Sequence, residues 1–393
     1  MATTDKRLSI TELDFDDIKS NMKIFLKNQT EFTDYDFEGS GMSALLDVLA
    51  YNTHYLSMNA NLLANEMFID TASLRSSVVS HAKTLGYTPR SARAPIATVN
   101  VNVNTSSVNV ATLSRGAKFS TTINDTTYNF VVATDVTKTR VGGSLVFENL
   151  SLYEGTLVTT RYTVDTANVD QRFIISDSNA DTTTLTVKVQ NSASDSTTTT
   201  YTLATDITQV SGTADNYFLQ EVENGQFEVY FGDGVIGKAL SDNNIVILEY
   251  VVTNKEEANG ASTFTAPSSI GESTDNTVST VTNAIGGAES ETIQSIKFNA
   301  PLDYSSQGRA VTSNDFTTII PTLFANTQSV QVWGGEDNDP AVYGKVFASI
   351  KTTTGSNLTS TQKTSLETAL KAYTVGSVRT EIVDPETIKL RLT

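Results

Sequence analysis

Cysteine is absent from this chain of 393 residues, and histidine is present only twice. Without cysteine there are no disulfides, zinc–thiolate sites, iron–sulfur clusters or cysteine nucleophiles. The two histidines, His54 and His81, both lie in the N-terminal part, and no G-x-S-x-G elbow accompanies them. We therefore expect packing or capping roles for both histidines, and we expect no catalytic residue, cofactor or metal site.

Basic residues are also scarce, since 27 Lys and Arg stand against 44 Asp and Glu and give a net charge of -17. A protein that binds nucleic acid or an anionic membrane needs a basic surface. The balance therefore argues against both as partners, and we attribute the acidity to solubility. Long apolar runs are missing as well, because none approaches the ~20 residues of a membrane helix. We expect no membrane insertion.

The length and the changing hydrophobic period predict a multidomain α+β protein. We expect an N-terminal helical segment over residues 1–92, a mostly-β domain over 93–283 and a small α+β domain over 284–393. In the middle part, Val and Asn alternate in "VNVNVN", which is typical of a half-buried strand. The chain ends on a strand-like segment, which predicts either a terminal edge strand or a further domain beyond it.

The N-terminal helices carry more apolar surface than one buried face requires. A third helix is expected from about Thr71 to Leu85, followed by a stop signal at Gly86. Two interpretations stay open from the residues alone: a small bundle packed on itself, or helices that bury a second face against another chain. The candidate assembly residues share helical spacing in the first two helices; they are Phe15, Ile18, Met22, Phe25, Met42, Leu45, Leu46, Leu49, Leu56 and Leu63.

The motif "GDGVIG" places Gly232, Gly234 and Gly237 in a G-x-G-x-x-G pattern around Asp233. A dinucleotide site would need a helix directly after it, and a kinase loop would need H-R-D and D-F-G motifs. Neither requirement is met. We therefore predict a β-turn at residues 232–234 in which glycine permits a positive φ, with Gly237 allowing a close backbone approach or a bulge.

The acidic stretch "GGEDNDP" at residues 334–340 is rich in oxygen ligands but lacks the spacing of a calcium loop. We interpret it as an acidic loop between two strands. Trp333, the single tryptophan, precedes it and is expected to anchor the core of the C-terminal α+β region.

Several motifs, taken in order, resemble a known family. "GQFEVYFGDGVIGKAL", "GGAESETIQSIKFNAP" and "GRAVTSNDF" are similar to signatures of the baseplate J-like family, whose members build the baseplates of contractile phage tails and related injection machines. The N-terminal helices and "VWGGEDNDPAVYGKVFASIK" look more specifically like the baseplate wedge subunit of contractile-tailed (myovirus) phages. The resemblance covers most of the chain and is weakest over about 165–215.

The resemblance implies a structural subunit of the virion tail baseplate and not an enzyme. Such subunits pair with a second copy, join other wedge proteins through an N-terminal helical bundle, and link neighbouring wedges into a six-fold ring around the tail hub. The resemblance also implies assembly in the host cytoplasm, and it favours the intermolecular bundle over the self-packed one. The alternative is a surface-exposed β-rich adhesin or glycan-binding module, which gives no reason for the apolar helices.

Overall fold

The computed structural model describes residues 14–29, 31, 40–105, 108–168, 170–204, 210–324, 327–352, 357–376 and 378–385. The chain divides into two compact units. The helical unit comprises the chain up to Leu85 together with Ile293–Lys297, and the larger unit comprises Gly86–Thr292 and the chain from Phe298 onward. The predicted fold class is confirmed, with helices first, strands in the middle and an α+β region last.

Three helices form most of the helical unit: α1 (Phe15–Lys27), α2 (Gly41–Glu66) and α3 (Arg75–Thr84). Short polar side chains cap the first two helices at their N-termini. The Asp14 carboxylate accepts a hydrogen bond from the backbone N–H of Asp16 at 2.8 Å. Ser40 Oγ accepts one from the N–H of Ser43 at 3.0 Å. Each bond satisfies an N–H that the helix itself leaves without a partner.

Helix α3 begins at Arg75 and not near Thr71, where its periodicity was predicted to begin. The Glu66 carboxylate explains the delay, because it accepts the backbone N–H of Ser73 at 2.7 Å and so holds the chain in a turn before the helix. The predicted stop signal at Gly86 directly follows Leu85, the C-cap of the helix, and its φ of +80° is a left-handed conformation that favours glycine.

The strands of the β-rich region follow one another closely along the chain. In chain order they are β1 (Ile96–Asn104), β2 (Val110–Leu113), β3 (Lys118–Ile123), β4 (Thr126–Val132), β5 (Val136–Thr139), β6 (Ser144–Glu154), β7 (Thr156–Thr163), β8 (Phe173–Ile175), β9 (Ala180–Gln190), β10 (Thr198–Leu203), β11 (Asn216–Glu221), β12 (Phe227–Phe231), β13 (Ile245–Val252) and β14 (Asn276–Ile285). The last strand continues past residue 283, where we expected the β-rich region to end.

Within the described residues these strands form two main sheets. One has five strands in the order β14-β1-β6-β4-β3, and the other has seven in the order β7-β13-β9-β10-β11-β12-β8. Strands β2 and β5 form a separate pair. Strand β14 pairs antiparallel with β1, with Val101 opposite Val278, so the end of the region returns to its beginning.

The alternation of β1 sorts its side chains between interior and surface as predicted. Val99, Val101 and Val103 are fully buried in the apolar cluster of the five-stranded sheet, and the asparagines between them are half-buried. The seven-stranded sheet has its own apolar cluster, which includes Val229 and Leu248. Each sheet therefore has its own apolar core.

The C-terminal region contains α4 (Ile293–Ser306), α5 (Ser313–Leu323), β15 (Thr327–Gly334), β16 (Lys345–Thr352), α6 (Ser360–Leu370) and β17 (Arg379–Val383). Its strands form a three-stranded sheet in the order β15-β16-β17. Phe316 and Ile320 of α5 belong to the same buried cluster as Ile350 of β16. A capping box begins α5, because Thr312 Oγ1 and the Asp315 carboxylate each accept the other residue's backbone N–H.

Trp333 does not belong to that core, so its predicted anchoring role is wrong. Val330 and Val332 of β15 pack against the core, and the alternation of side chains along a strand turns Trp333 to the opposite face. There its ring stacks on Phe347 with the centroids 6.0 Å apart. Its indole N–H donates to Asn338 Oδ1 at 2.8 Å. Trp333 thus holds the acidic loop to the outer face of the sheet.

A buried carboxylate joins the two ends of the β-rich region within the larger unit. Glu291 is almost fully buried and accepts the Tyr87 hydroxyl at 2.8 Å. It also accepts the backbone N–H of Arg90 at 3.1 Å and Nδ2 of Asn299 at 2.8 Å. These donors compensate for the loss of water around the charge.

Candidate functional site: an apolar helical surface

The predicted assembly residues divide by burial. Ile18 and Leu46 are buried within the helical unit, and Leu46 is only 4% exposed. A second group, Phe15, Met22 and Met42, is half-buried. The remaining residues are exposed; they are Phe25, Leu45, Leu49, Leu56 and Leu63. Leu46 therefore belongs to the interior between helices, whereas the last group belongs to the surface.

The inward side of α2 is poorer in large apolar residues than its outward side. Ser43, Ala50 and Asn61 are buried on the same helix as Leu46. Asn65 is buried with them and donates through Nδ2 to the carbonyl oxygen of Asn61 at 2.7 Å. A surface helix of a soluble protein normally shows the opposite distribution. The outward apolar side is therefore the strongest candidate for an interaction surface.

Four exposed leucines form one stripe along α2. Leu49, Leu56 and Leu63 recur every seven residues and are 46%, 60% and 70% exposed. Positions seven apart drift by only about 20° around an α-helix, so these side chains lie nearly in line. Leu45 lies four residues before Leu49, which is the other step of a heptad pattern. We call Leu45, Leu49, Leu56 and Leu63 the leucine seam.

A second exposed stripe runs beside the first. Val48, Tyr55 and Leu62 also recur every seven residues, with Tyr51 and Met58 at the intermediate heptad positions, and all five side chains are exposed. The hydroxyls of Tyr51 and Tyr55 lie 2.9 Å apart, and their rings meet edge to face with centroids 4.7 Å apart. We call these five residues the tyrosine seam.

The two seams and the buried side divide the circumference of α2 roughly into thirds, at about 100° of rotation per residue. One third faces the interior of the helical unit, and the other two are apolar and exposed. None of the tyrosine seam was among the predicted assembly residues. The seven-residue spacing of Val48, Tyr55 and Leu62 was the signal that could have identified it.

The turn between α2 and α3 is held by Glu66. Partial burial alone would raise the pKa of its carboxyl, but hydrogen bonds from the side chain and backbone of Ser73, from Ser77 and from the Leu74 N–H outweigh it and lower the pKa to about 2. His81 Nε2 donates to the carbonyl oxygen of Glu66 at 2.9 Å. The capping role predicted for His81 is confirmed, and the ends of α2 and α3 are tied together.

The predicted glycine turn follows β12 directly. Gly234 has a φ of +91° and donates its N–H to the carbonyl oxygen of Gly237 at 2.9 Å. A Cβ on Gly232 would lie 2.1 Å from the carbonyl oxygen of Ile236, so no side chain fits there. Gly234 has the positive φ expected of glycine here, but the chain bends over residues 234–237, and Gly232 lies in close contact with the backbone of Ile236 and Gly237.

The amides of this turn are used within the turn itself. Asp233 Oδ1 accepts the N–H of Ile236 at 3.1 Å and that of Val235 at 2.9 Å, and these bonds lower the pKa of the Asp233 carboxyl. The next regular element is strand β13 and not a helix. The arrangement is therefore a structural turn and not a phosphate cradle.

Metal-binding groups and membrane-spanning helices are the other kinds of site that such a chain could contain. Across the part of the chain that the structure describes, His, Cys, Asp and Glu side chains form no group of three or more that could hold a metal ion. Among the described helices, none is both long and apolar enough to cross a membrane. The apolar surface of α2 is the leading candidate site, and exposed apolar surfaces of this kind are typical of proteins that assemble with partners.

Two protein-family models match separate parts of the chain. The model for the helical domain of gp6-like baseplate wedge proteins matches residues 14–87, which contain α1 to α3 and both seams. The model for C-terminal domain I of the baseplate structural protein gp6 matches residues 312–383, which contain the three-stranded sheet.

One relative spans both regions. Baseplate wedge protein gp6 of Enterobacteria phage T4 is 30% identical to this chain over 398 residues, which cover 94% of this chain and 58% of that protein. This chain thus spans little more than half the length of that relative. Together with the two domain matches, it shows that this chain is similar to baseplate wedge proteins in its helical segment and in its C-terminal region.

A solved structure is also similar in part. It is the cryo-EM structure of the anti-feeding prophage baseplate, 6-fold symmetrised, and the match is 13% identical and covers 96% of this chain and 80% of that one. The TM-score is 0.33, which is too low to support an argument about fold or function.

Proposed function

We propose that this chain is a structural, non-enzymatic subunit of a contractile phage tail baseplate wedge, located in the virion, and that it assembles through the two exposed seams of α2. The observation that carries the proposal is the inverted distribution of apolar residues on α2, with leucines outside and small or polar residues inside. The family matches at residues 14–87 support it, because they relate this same segment to wedge proteins.

The leucine seam is the surface for a second copy of the chain. Symmetric pairs of helices bring identical heptad residues together, so a stripe of leucines is complementary to itself. The tyrosine seam, on a different third of the helix, is then the surface for a helix of another wedge protein. A helix with both partners in place has a neighbour on every side, which accounts for the apolar residues on both outward thirds of α2.

The remaining parts of the proposal concern the larger assembly. Neighbouring wedges join in a six-fold ring around the tail hub, after assembly in the host cytoplasm. The β-rich domain and the α+β domain set the angle between neighbours. The broader relationship to the baseplate J-like family belongs to the same proposal.

The solution mass of the full chain tests the pairing directly. Light scattering after gel filtration should give the mass of a dimer for the chain alone, and a larger defined complex after co-expression with other wedge proteins. A monomer that enters a complex only with another wedge protein would contradict pairing through the leucine seam. A monomer that stays monomeric under both conditions would contradict the wedge function itself.

A further inference from the structure

A cavity of about 270 Å³ lies where three parts of the larger unit meet. Arg93 stands at its wall, with Asp181 and Thr183 from β9 and Ile285 from β14. Phe324, directly after α5, closes another side. The volume is roughly that of nine molecules in liquid water at about 30 Å³ each, so a group of several atoms fits in it.

Arg93 brings a positive charge to this cavity without a matching hydrogen-bond acceptor. Its Nε atom is buried and has no hydrogen-bond partner. Its backbone forms a bridge with Ala288, with N–H···O distances of 2.9 and 3.1 Å, so the base of the side chain is held in place. Burial lowers the pKa of Arg93, and the negative charge of Asp181 only partly opposes this. An unpaired buried guanidinium N–H is costly and therefore uncommon.

Asp181 does not supply the missing acceptor, because other donors hold its carboxylate. Oδ2 accepts the backbone N–H of Ala94 at 2.9 Å. Oδ1 accepts the backbone N–H of Thr183 at 2.9 Å and its hydroxyl at 2.5 Å. Within the described residues, Arg93 forms no ion pair with Asp181 or any other acid. Both carboxylate oxygens of Asp181 thus accept hydrogen bonds from other donors, and neither pairs with Nε of Arg93.

We propose that this cavity binds a carboxylate group, with Nε and an adjacent Nη of Arg93 as paired donors. A carboxylate matches the planar fork of a guanidinium with two parallel hydrogen bonds. A carboxylate carries one negative charge and suits the site better than a doubly charged phosphate, because Asp181 repels the phosphate more strongly. The apolar walls from Ile285, Leu323 and Phe324 accommodate the carbon atoms attached to the carboxylate. The group comes either from a free small acid or from an Asp or Glu side chain of another polypeptide.

Binding here would stabilise the larger unit, because the ligand touches all three parts at once and binds only where they are assembled. The first test is the melting temperature of the full chain in sodium propionate, compared with sodium chloride at the same ionic strength and with the neutral amide propionamide. We expect a saturable rise of several degrees with propionate alone. Arg93→Gln should abolish the rise, and the exposed Arg161→Gln of β7 should preserve it.

A second binding experiment distinguishes the two possible sources of the carboxylate. If the natural ligand is a protein side chain, the peptide acetyl-Ala-Glu-Ala-amide should bind at least tenfold more tightly than propionate, as measured by calorimetry, and should compete with propionate. The analogue with Gln in place of Glu should not bind. Propionate binding without peptide binding would assign the site to a free small acid. No saturable effect from either, or an equal effect in Arg93→Gln, would overturn the proposal. Should Arg93→Gln fail to fold, the contrast between propionate and propionamide in the unaltered chain decides the question alone.

Discussion

Placing charges on two residues of the leucine seam should separate copies of the chain without unfolding them. Leu56 and Leu63 are 60% and 70% exposed, so they contribute little to the fold of one copy. The double substitution Leu56→Asp with Leu63→Asp would place two charges per copy within the proposed contact. A carboxylate there would have to be buried without a partner.

The expected loss follows from the area that these side chains still have to bury. Complete burial of a leucine is worth about 1.5–3 kcal/mol, so the exposed part of each side chain accounts for about 1–2 kcal/mol. A symmetric pair contains each residue twice, so the double substitution removes about 4–8 kcal/mol, which is about three to six powers of ten in Kd. The cost of burying the new charges adds to this loss.

Sedimentation equilibrium over a range of concentrations measures the dissociation, and far-UV circular dichroism reports whether the helices persist. Val141→Asp, at a valine that is 80% exposed in the β-rich region, is the matched control and should leave the mass unchanged. Leu46→Asp should behave differently from both, because burying a charge at this interior position should unfold the helical unit. If the double variant keeps the mass of the unaltered chain, the leucine seam does not pair the copies.

Three further substitutions test the local arrangements. The pKa of the Glu66 carboxyl is lowered to about 2, so the stability that this carboxylate contributes is present above pH 4.5, the ordinary pKa, and is lost as the pH falls from 4.5 toward 2. In Glu66→Gln, chemical denaturation at each pH should no longer show this acid-induced loss. An unchanged pH profile would show that Glu66 does not stabilise the turn. Tyr87→Phe removes the hydroxyl donor to buried Glu291 and should lower the free energy of unfolding by about 1.5–3 kcal/mol, as measured with urea, and a loss below about 0.5 kcal/mol would contradict the bond. Gly232→Ala should destabilise the protein by more than about 2 kcal/mol, because the new Cβ would meet a carbonyl oxygen. Gly41→Ala is the control and should be neutral or slightly stabilising, because nothing lies within 4 Å of the new Cβ. Equal melting temperatures for the two variants would refute the clash at Gly232.

Interactions between close neighbours in the chain were predictable. The capping box of Thr312 and Asp315 and the positive φ of Gly234 each depend on residues within a few positions of one another. A short stretch of sequence contains all the atoms involved, so its chemistry indicates its conformation. The start of α3 was predicted less well, because a carboxylate from the preceding helix holds Ser73 outside it.

Local sequence could not predict which sides of α2 are buried and which are exposed. Leu46 and Leu49 are three residues apart and equally apolar, yet one is buried and the other is 46% exposed. The difference depends on where the neighbouring helices lie, which the period of α2 alone does not specify. For the same reason the sequence revealed an excess of apolar surface but not its division into two seams.

The sequence by itself determined the acidic character, the absence of cysteine chemistry, the order of helical and β-rich regions and the apolar excess on α2, because these depend on composition and local period. Only the tertiary structure decided which face each side chain occupies. Trp333 lies outside the core that its size suggested, and Arg93 reaches a cavity whose other walls include Asp181 and Phe324, far away along the chain. Burial and electrostatic pairing depend on contacts between such distant segments, as when Val278 of β14 returns beside Val101 of β1, and no local pattern encodes them.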